Sequence, residues 1–174
     1  MPDPRIEYLR GKTNEWYVPI HGKTVIKKGE LIFLAQDTSV IVGATADGYG
    51  YPAGQLAGTT HTYFLNNLAG VSMKGSISGT TEDIPVATSG IFRGQIKLGT
   101  SATSKHVYPG ALVSAATLGA SGVTPSGTTF TVETLAASET SCCVVGRAVK
   151  KQASATHVDF MLMVKMAGCS VESR

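Results

Sequence analysis

Apolar and polar positions alternate with period two along much of this chain. The alternation is clearest near the C-terminal end. There Val158, Phe160, Leu162, Val164 and Met166 fall on one side, and His157, Asp159, Met161, Met163 and Lys165 on the other. Alternation of this length predicts a β-strand with one face on a core. The second face is only partly polar, because of its two methionines, so a neighbouring sheet or another subunit is expected to cover it. Residues 91–98 repeat the pattern: Phe92, Ile96 and Leu98 point one way, Arg93, Gln95 and Lys97 the other. A slip of one residue would bury those three polar side chains, so the register is expected to be firm. Leu31-Ile32-Phe33-Leu34 is a continuous apolar run, the mark of a strand buried on both faces. Residues 39–42, 65–74 and 130–133 read as further strands. Pro85 argues against a central strand around it and favours an edge or a strand start. Residues 43–58 are Gly-rich, contain Gly48-Tyr49-Gly50-Tyr51-Pro52, and read as a long loop. Residues 119–128 form a shorter one, 99–104 a small-residue linker, and 136–140 a polar turn. No segment sustains apolar spacing at i, i+3, i+4 and i+7 with caps at both ends, so helix content is expected to be low.

One pattern occurs twice. Lys27-Lys28-Gly29-Glu30-Leu31-Ile32 is echoed by Tyr108-Pro109-Gly110-Ala111-Leu112-Val113. Each Gly-x-Leu step is followed by a Gly-x-x-x-Lys step, Gly70 to Lys74 in one copy and Gly146 to Lys150 in the other. Each of these precedes a polar turn and an alternating strand. The repeat predicts a mostly β protein, a compact barrel- or sandwich-like body of two related halves. The units are placed at 25–98 and 106–166 of a single domain spanning 25–166, with a tail at 167–174.

Residues 1–24 stand apart as an extended N-terminal arm. Pro2 and Pro4 discourage regular structure at its start, and a strand is expected near residues 15–20. The arm holds Arg5, Tyr8, Leu9, Arg10, Trp16 and Tyr17, including the only tryptophan. Aromatic residues and arginine are enriched in interface cores, so these six are candidate contacts with a partner or a neighbouring subunit. The other reading has Trp16 and Tyr17 stapling the arm to its own domain. Tyr49 and Tyr51 in the long loop carry the same two readings. Deletion of residues 1–10 is expected to spare folding and weaken attachment.

The chain has 174 residues, enough for one domain with a real core or for two small lobes. Charged residues make up only 16 %, against a usual share of about 25 %, which suits a surface partly covered by something else. The net charge of +3 has no run of basic residues longer than two, so no basic stripe argues for nucleic acid. No apolar run reaches the ~20 residues of a membrane helix, and no apolar leader opens the chain. The cysteines, Cys142, Cys143 and Cys169, are odd in number with two adjacent, a poor disulfide framework. One of the adjacent pair is expected to face a core and the other solvent, in a reducing compartment. No nucleophile elbow, P-loop, dinucleotide fingerprint or EF-hand spacing is present. His21, His61, His106 and His157 sit in unrelated contexts. No enzyme, cofactor or metal site is expected.

The run Gly70-Val71-Ser72-Met73, a polar turn, and then Ile84-Pro85-Val86-Ala87-Thr88-Ser89-Gly90-Ile91-Phe92 resembles the middle of the tailed-phage capsid cement (head decoration) proteins. So do Gly110-Ala111-Leu112-Val113, Val145-Gly146-Arg147-Ala148 and the last strand, Val158-Asp159-Phe160-Met161-Leu162. The resemblance spans residues 25–164, and the order of the motifs carries it. The loop at 43–63 and the arm depart from the pattern. The resemblance implies a non-enzymatic virion protein, similar in role to the lambda head decoration protein. It would be made in the host cytoplasm, bind the outer capsid surface as a homotrimer, and clamp neighbouring major capsid subunits. It implies no direct contact with nucleic acid or membrane. Two alternatives are a tail or baseplate β domain, and a carbohydrate-binding module stacking sugars on Trp16, Tyr49 and Tyr51.

Overall fold

A computed structural model describes residues 5–35, 48–55, 67–96, 109–118, 124–133, 144–150 and 157–164. The chain is mostly β, as expected. Its strands are β1 (Glu7–Arg10), β2 (Glu15–Ile20), β3 (Leu31–Leu34), β4 (Gly50–Pro52), β5 (Leu68–Ser72), β6 (Glu82–Ala87), β7 (Ile91–Ile96), β8 (Leu112–Leu118), β9 (Thr124–Glu133), β10 (Val144–Ala148) and β11 (His157–Leu162). They form a five-stranded sheet in the order β2-β6-β5-β3-β4 and a six-stranded sheet in the order β1-β7-β11-β10-β8-β9. In the larger sheet β9 also pairs, in parallel, with the C-terminal half of β7 through Gln95↔Thr129 and Ile96↔Phe130. The pairings from β7 through β11, β10, β8 and β9 therefore return to β7.

With β1 set aside, the two sheets have the same strand order, and the correspondence extends to single residues. Ile32 pairs with Gly70 as Val113 pairs with Gly146, and each ladder skips one residue next, Ala69 in one and Val145 in the other. Gly29 N–H donates to Ser72 O at 2.9 Å and Gly110 N–H to Ala148 O at 2.7 Å. In return Ser72 N–H donates to Glu30 O, and Ala148 N–H to Ala111 O, both at 2.9 Å. Trp16 pairs with Val86 as Phe92 pairs with Phe160. The shared β-bulge needs glycine. A Cβ on Gly70 would lie 2.0 Å from the Ala87 carbonyl oxygen, and one on Gly146 2.1 Å from that of Met161. The recurring Gly-x-Leu glycines open β3 and β8 with φ of 82° and 89°, a region that favours glycine.

The sheets divide the chain between Ala87 and Ile91, one strand earlier than the periodicity alone placed the units. The alternating strand at 91–96 opens the second sheet as β7, and β2, read as the end of an arm, opens the first. Residues 48–55 are also not wholly loop. Gly50–Pro52 pairs with β3 through Phe33↔Tyr51, and a 3-10 turn follows at Ala53–Gln55. Pro85 sits inside β6, between β2 and β5. Its carbonyl accepts from Met73 N–H at 2.9 Å, so its missing donor points the same way, past the last paired residue of β5, Ser72. Pairing with β2 is untouched, which is how a central strand tolerates this proline. The strand expected at 39–42, the linker, the turn at 136–140, the C-terminal tail, His61, His106 and all three cysteines lie outside the described residues.

One core cluster joins the sheets: Leu31, Phe33, Tyr51 and Val71 of the first meet Phe92, Val113, Val158, Phe160 and Leu162 of the second. A second cluster, Val18, Ile20, Ile32, Ile84 and Val86, fills the other face of the first sheet. The continuous run at β3 is thus buried on both faces, as its sequence predicts. On β11 the expected alternation holds: Val158, Phe160 and Leu162 are buried, while His157, Met161 and Met163 are exposed. Asp159 breaks it, facing outward yet buried.

Candidate functional surface

The N-terminal segment runs across both sheets. β1 pairs antiparallel with the N-terminal half of β7, through Glu7↔Arg93, Tyr8↔Phe92 and Arg10↔Ile91, with Leu9 bulged out of register. Ile6, just before it, is buried in the shared core, and its N–H donates to Gly29 O at 3.0 Å. Gly29 has no room for a side chain, because a Cβ there would lie 2.4 Å from Ile6 O. The Tyr8 ring meets Phe92 edge-on at 5.6 Å, and its hydroxyl donates to Gly11 O. A cleft of about 520 Å³ lies beside β1, lined by Ile6, Tyr8, Val71, Met73 and Phe92 together with Lys28. Residues 6–10 are therefore bound to the body, and the expectation that residues 1–10 can be removed without affecting folding does not fit the burial of Ile6.

The candidate contact residues divide into three groups. Arg5, Tyr8, Leu9 and Arg10 are exposed on or beside β1, and Trp16 and Tyr17 are exposed on β2, Tyr17 at 69 %. Trp16 also staples: its indole N–H donates to Ala69 O at 3.2 Å, leaving the side chain 41 % exposed. Tyr49 is partly buried against the shared core, with its ring edge-on to His21 at 5.3 Å. Tyr51 is 1 % exposed and packs beside Phe33, with ring centroids 6.4 Å apart. It is a core residue and is not available to a partner. Its position in β4 made it so, and the glycines around it hid that strand from a reading of periodicity.

An ion cluster that local pattern did not reveal lies on the outer face of the second sheet. Asp159, 3 % exposed, accepts from Arg93 through Nε at 2.7 Å and Nη2 at 3.1 Å, and lies 2.7 Å from Lys150 Nζ. The Arg93 fork holds the Asp159 carboxyl below the usual carboxylate range, against the opposing effect of burial and with help from Lys150. The same contact raises Arg93. Glu7 faces Arg93 across the β1–β7 ladder, so the cluster reaches the N-terminal segment. Polar residues facing each other on β7 and β11 were visible in the sequence, but their register was not. In the first sheet Tyr17 and Pro85 stand where Arg93 and Asp159 stand in the second, and Lys74 pairs instead with Glu82 at 3.1 Å. Glu82 is lowered chiefly by the Ile77 backbone N–H and then by Lys74.

Among the described residues no three His, Cys, Asp or Glu side chains gather as metal ligands would, and no helix is long and apolar enough to cross a membrane. What the described surface offers is contact chemistry: aromatic and aliphatic side chains on two successive strands, and exposed methionines at Met161 in β11 and Met163 just after it. No family model, curated protein or solved structure matches the chain.

Proposed function

We propose that this chain is a capsid cement protein. It binds the outer face of a phage head as a homotrimer and bridges neighbouring major capsid subunits through its N-terminal segment. The observation that carries the reading is the set of exposed apolar side chains, Tyr8, Leu9, Trp16 and Tyr17, on two strands that belong to different sheets. Such residues are favoured in interface cores, and strands fixed on two sheets present them with little ordering cost on binding. Its other supports are the family resemblance in motif order and the low charge. A shell repeats each site many times, so modest contacts add through multivalency. The carbohydrate-binding alternative loses support, because Tyr51 of its three-ring platform is in the core. Cryo-electron microscopy of the virion tests the proposal. Density for this fold on the outer capsid surface is the expected result, and its presence in the tail with none on the head would overturn it.

A further inference from the structure

The duplication allows one half of the molecule to be read against the other. In each sheet the first strand, β2 or β7, has one edge turned away from its neighbour β6 or β11. On β7 this edge is filled, by β1 over Ile91–Arg93 and by β9 over Gln95 and Ile96. On β2 the residue corresponding to Ile91 is Glu15, to Phe92 Trp16, and to Arg93 Tyr17. β4, the counterpart of β9, approaches the far end of β2, where a Cβ on Gly50 would meet Val18 and Ile20 side chains at 2.5 and 2.8 Å. No described strand lies where β1 would be.

This stretch, unpaired among the described residues, has the groups a strand needs. Thr88 N–H donates to Asn14 O at 2.8 Å, which makes Asn14, Trp16 and Val18 the residues whose backbone faces β6. The N–H and C=O of Glu15 and Tyr17 therefore point outward. Pro19, the next outward position, has no donor, as suits an edge. The side chains carry the same signature. Phe92, capped by Tyr8, is 0 % exposed, whereas Trp16 at the equivalent place is 41 % exposed.

We propose that the outer edge of β2 at Glu15–Tyr17 accepts an antiparallel strand from a different protein. β1 occupies this position on β7 and is held there by Ile6 in the core, so in neither this chain nor a second copy is it free to serve. The charges specify the incoming segment by comparison with β1. Arg10 lies opposite Ile91, but the equivalent residue on β2 is Glu15, so a basic side chain fits there better still. Tyr8 lies on Phe92, so an aromatic or aliphatic residue meets Trp16. Glu7 lies opposite Arg93, but Tyr17 replaces that arginine, so the residue there is uncharged and apolar. Read from its own N-terminus, the partner strand is apolar, then aromatic or aliphatic, then basic after one bulged residue. Strand addition of this kind takes affinity from main-chain bonds and specificity from alternate side chains. The proposal deepens the capsid reading at its N-terminal segment without depending on it.

The test uses the full-length protein and a capped peptide copying residues 5–10 with valine in place of Glu7. Amide exchange at Glu15 and Tyr17 is expected to slow at least several-fold on saturation with peptide, with Glu15 protected equally in Tyr17→Val. In Tyr17→Pro, which unlike Tyr17→Val also removes the outward donor, binding is expected to be lost. Unchanged exchange at both amides, or peptide binding by Tyr17→Pro as strong as wild type, would overturn the proposal. If Tyr17→Pro does not fold, the wild-type exchange decides. Capsid shells lacking this protein supply a separate arm. Shell-bound protein with unprotected Glu15 and Tyr17 also overturns the edge proposal. A chain that does not bind shells at all overturns the capsid reading, while the peptide result still decides the edge.

Discussion

At the scale of single residues, the two bulge glycines and one aspartate carry most of the specificity. Gly70 adopts φ of 140°, and at both Gly70 and Gly146 a methyl group would collide with a carbonyl oxygen of the next strand. Backbone cannot give way as a flexible side chain can. Gly70→Ala and Gly146→Ala are each expected to cost about 3 kcal/mol or more, whereas Gly54→Ala, with open space around the position, should stay within about 0.5 kcal/mol. Urea titration of the three variants checks this, and equal midpoints would refute the bulge argument. Asp159 gives a pH dependence with a definite sign. Its folded pKa is depressed by Arg93 and Lys150. Its contribution is therefore complete above the unfolded carboxylate value and is lost as pH falls through that value towards the folded one. As pH falls from neutrality into the acid range, wild type should lose stability more steeply than Asp159→Asn. At neutral pH that variant should be weaker by about 1–3 kcal/mol, less than for a fully buried pair, because Arg93 and Lys150 keep 37 % and 51 % of their side-chain exposure. Urea midpoints across that range that run parallel for the two proteins would remove Asp159 from the account.

At the scale of elements, alternation showed where strands lie but not how they associate. β11 was legible because its side chains at 158, 160 and 162 are all large and apolar, and the structure buries all three. Phe160→Ala is expected to cost about 3–5 kcal/mol, while Met161→Lys, on the exposed face, should change monomer stability by no more than about 0.5 kcal/mol. Thermal denaturation of the pair tests the alternation directly, since similar losses would mean the faces are wrongly assigned. β4 was not legible, because Gly-Tyr-Pro is too short and too rich in turn residues to show a period. The core position of Tyr51 comes from pairing with Phe33, a long-range contact that local pattern does not encode. The position of Pro85 misled for a related reason. The rule against proline in central strands concerns a lost ladder bond, and here the missing donor falls at the last rung on the β5 side, beyond Ser72, where the Pro85 carbonyl still accepts from Met73 N–H. Ile6 was hidden between prolines and an exposed strand, so its burial in the shared core was invisible. Ile6→Ala should therefore cost about 2–4 kcal/mol, and deletion of residues 1–10 should lower Tm by more than that substitution alone. A deletion variant with wild-type Tm, measured by calorimetry, would return the segment to the status of a loose arm.

At the scale of the whole molecule, the duplicated sheets are not two independent bodies. Leu31, Phe33, Tyr51 and Val71 of the first sheet share one apolar cluster with Phe92, Val113, Val158 and Phe160 of the second. The chain also crosses between them at its start, because β1 belongs to the second sheet and β2 to the first. Unfolding either sheet alone would expose that shared layer and release the N-terminal crossing, so partly unfolded states are disfavoured. A single cooperative transition follows. The one tryptophan makes this measurable. Trp16 lies on the first sheet, bonded to Ala69 O, so its fluorescence reports that sheet, while far-UV circular dichroism reports both. The two urea curves are expected to coincide in midpoint and slope. In Ile6→Ala, which weakens the crossing and the shared core together, they should shift by the same amount and still coincide. A fluorescence transition that precedes the dichroism curve would show that the first sheet can melt while the second survives. The duplication would then be one of folding units as well as of strand order.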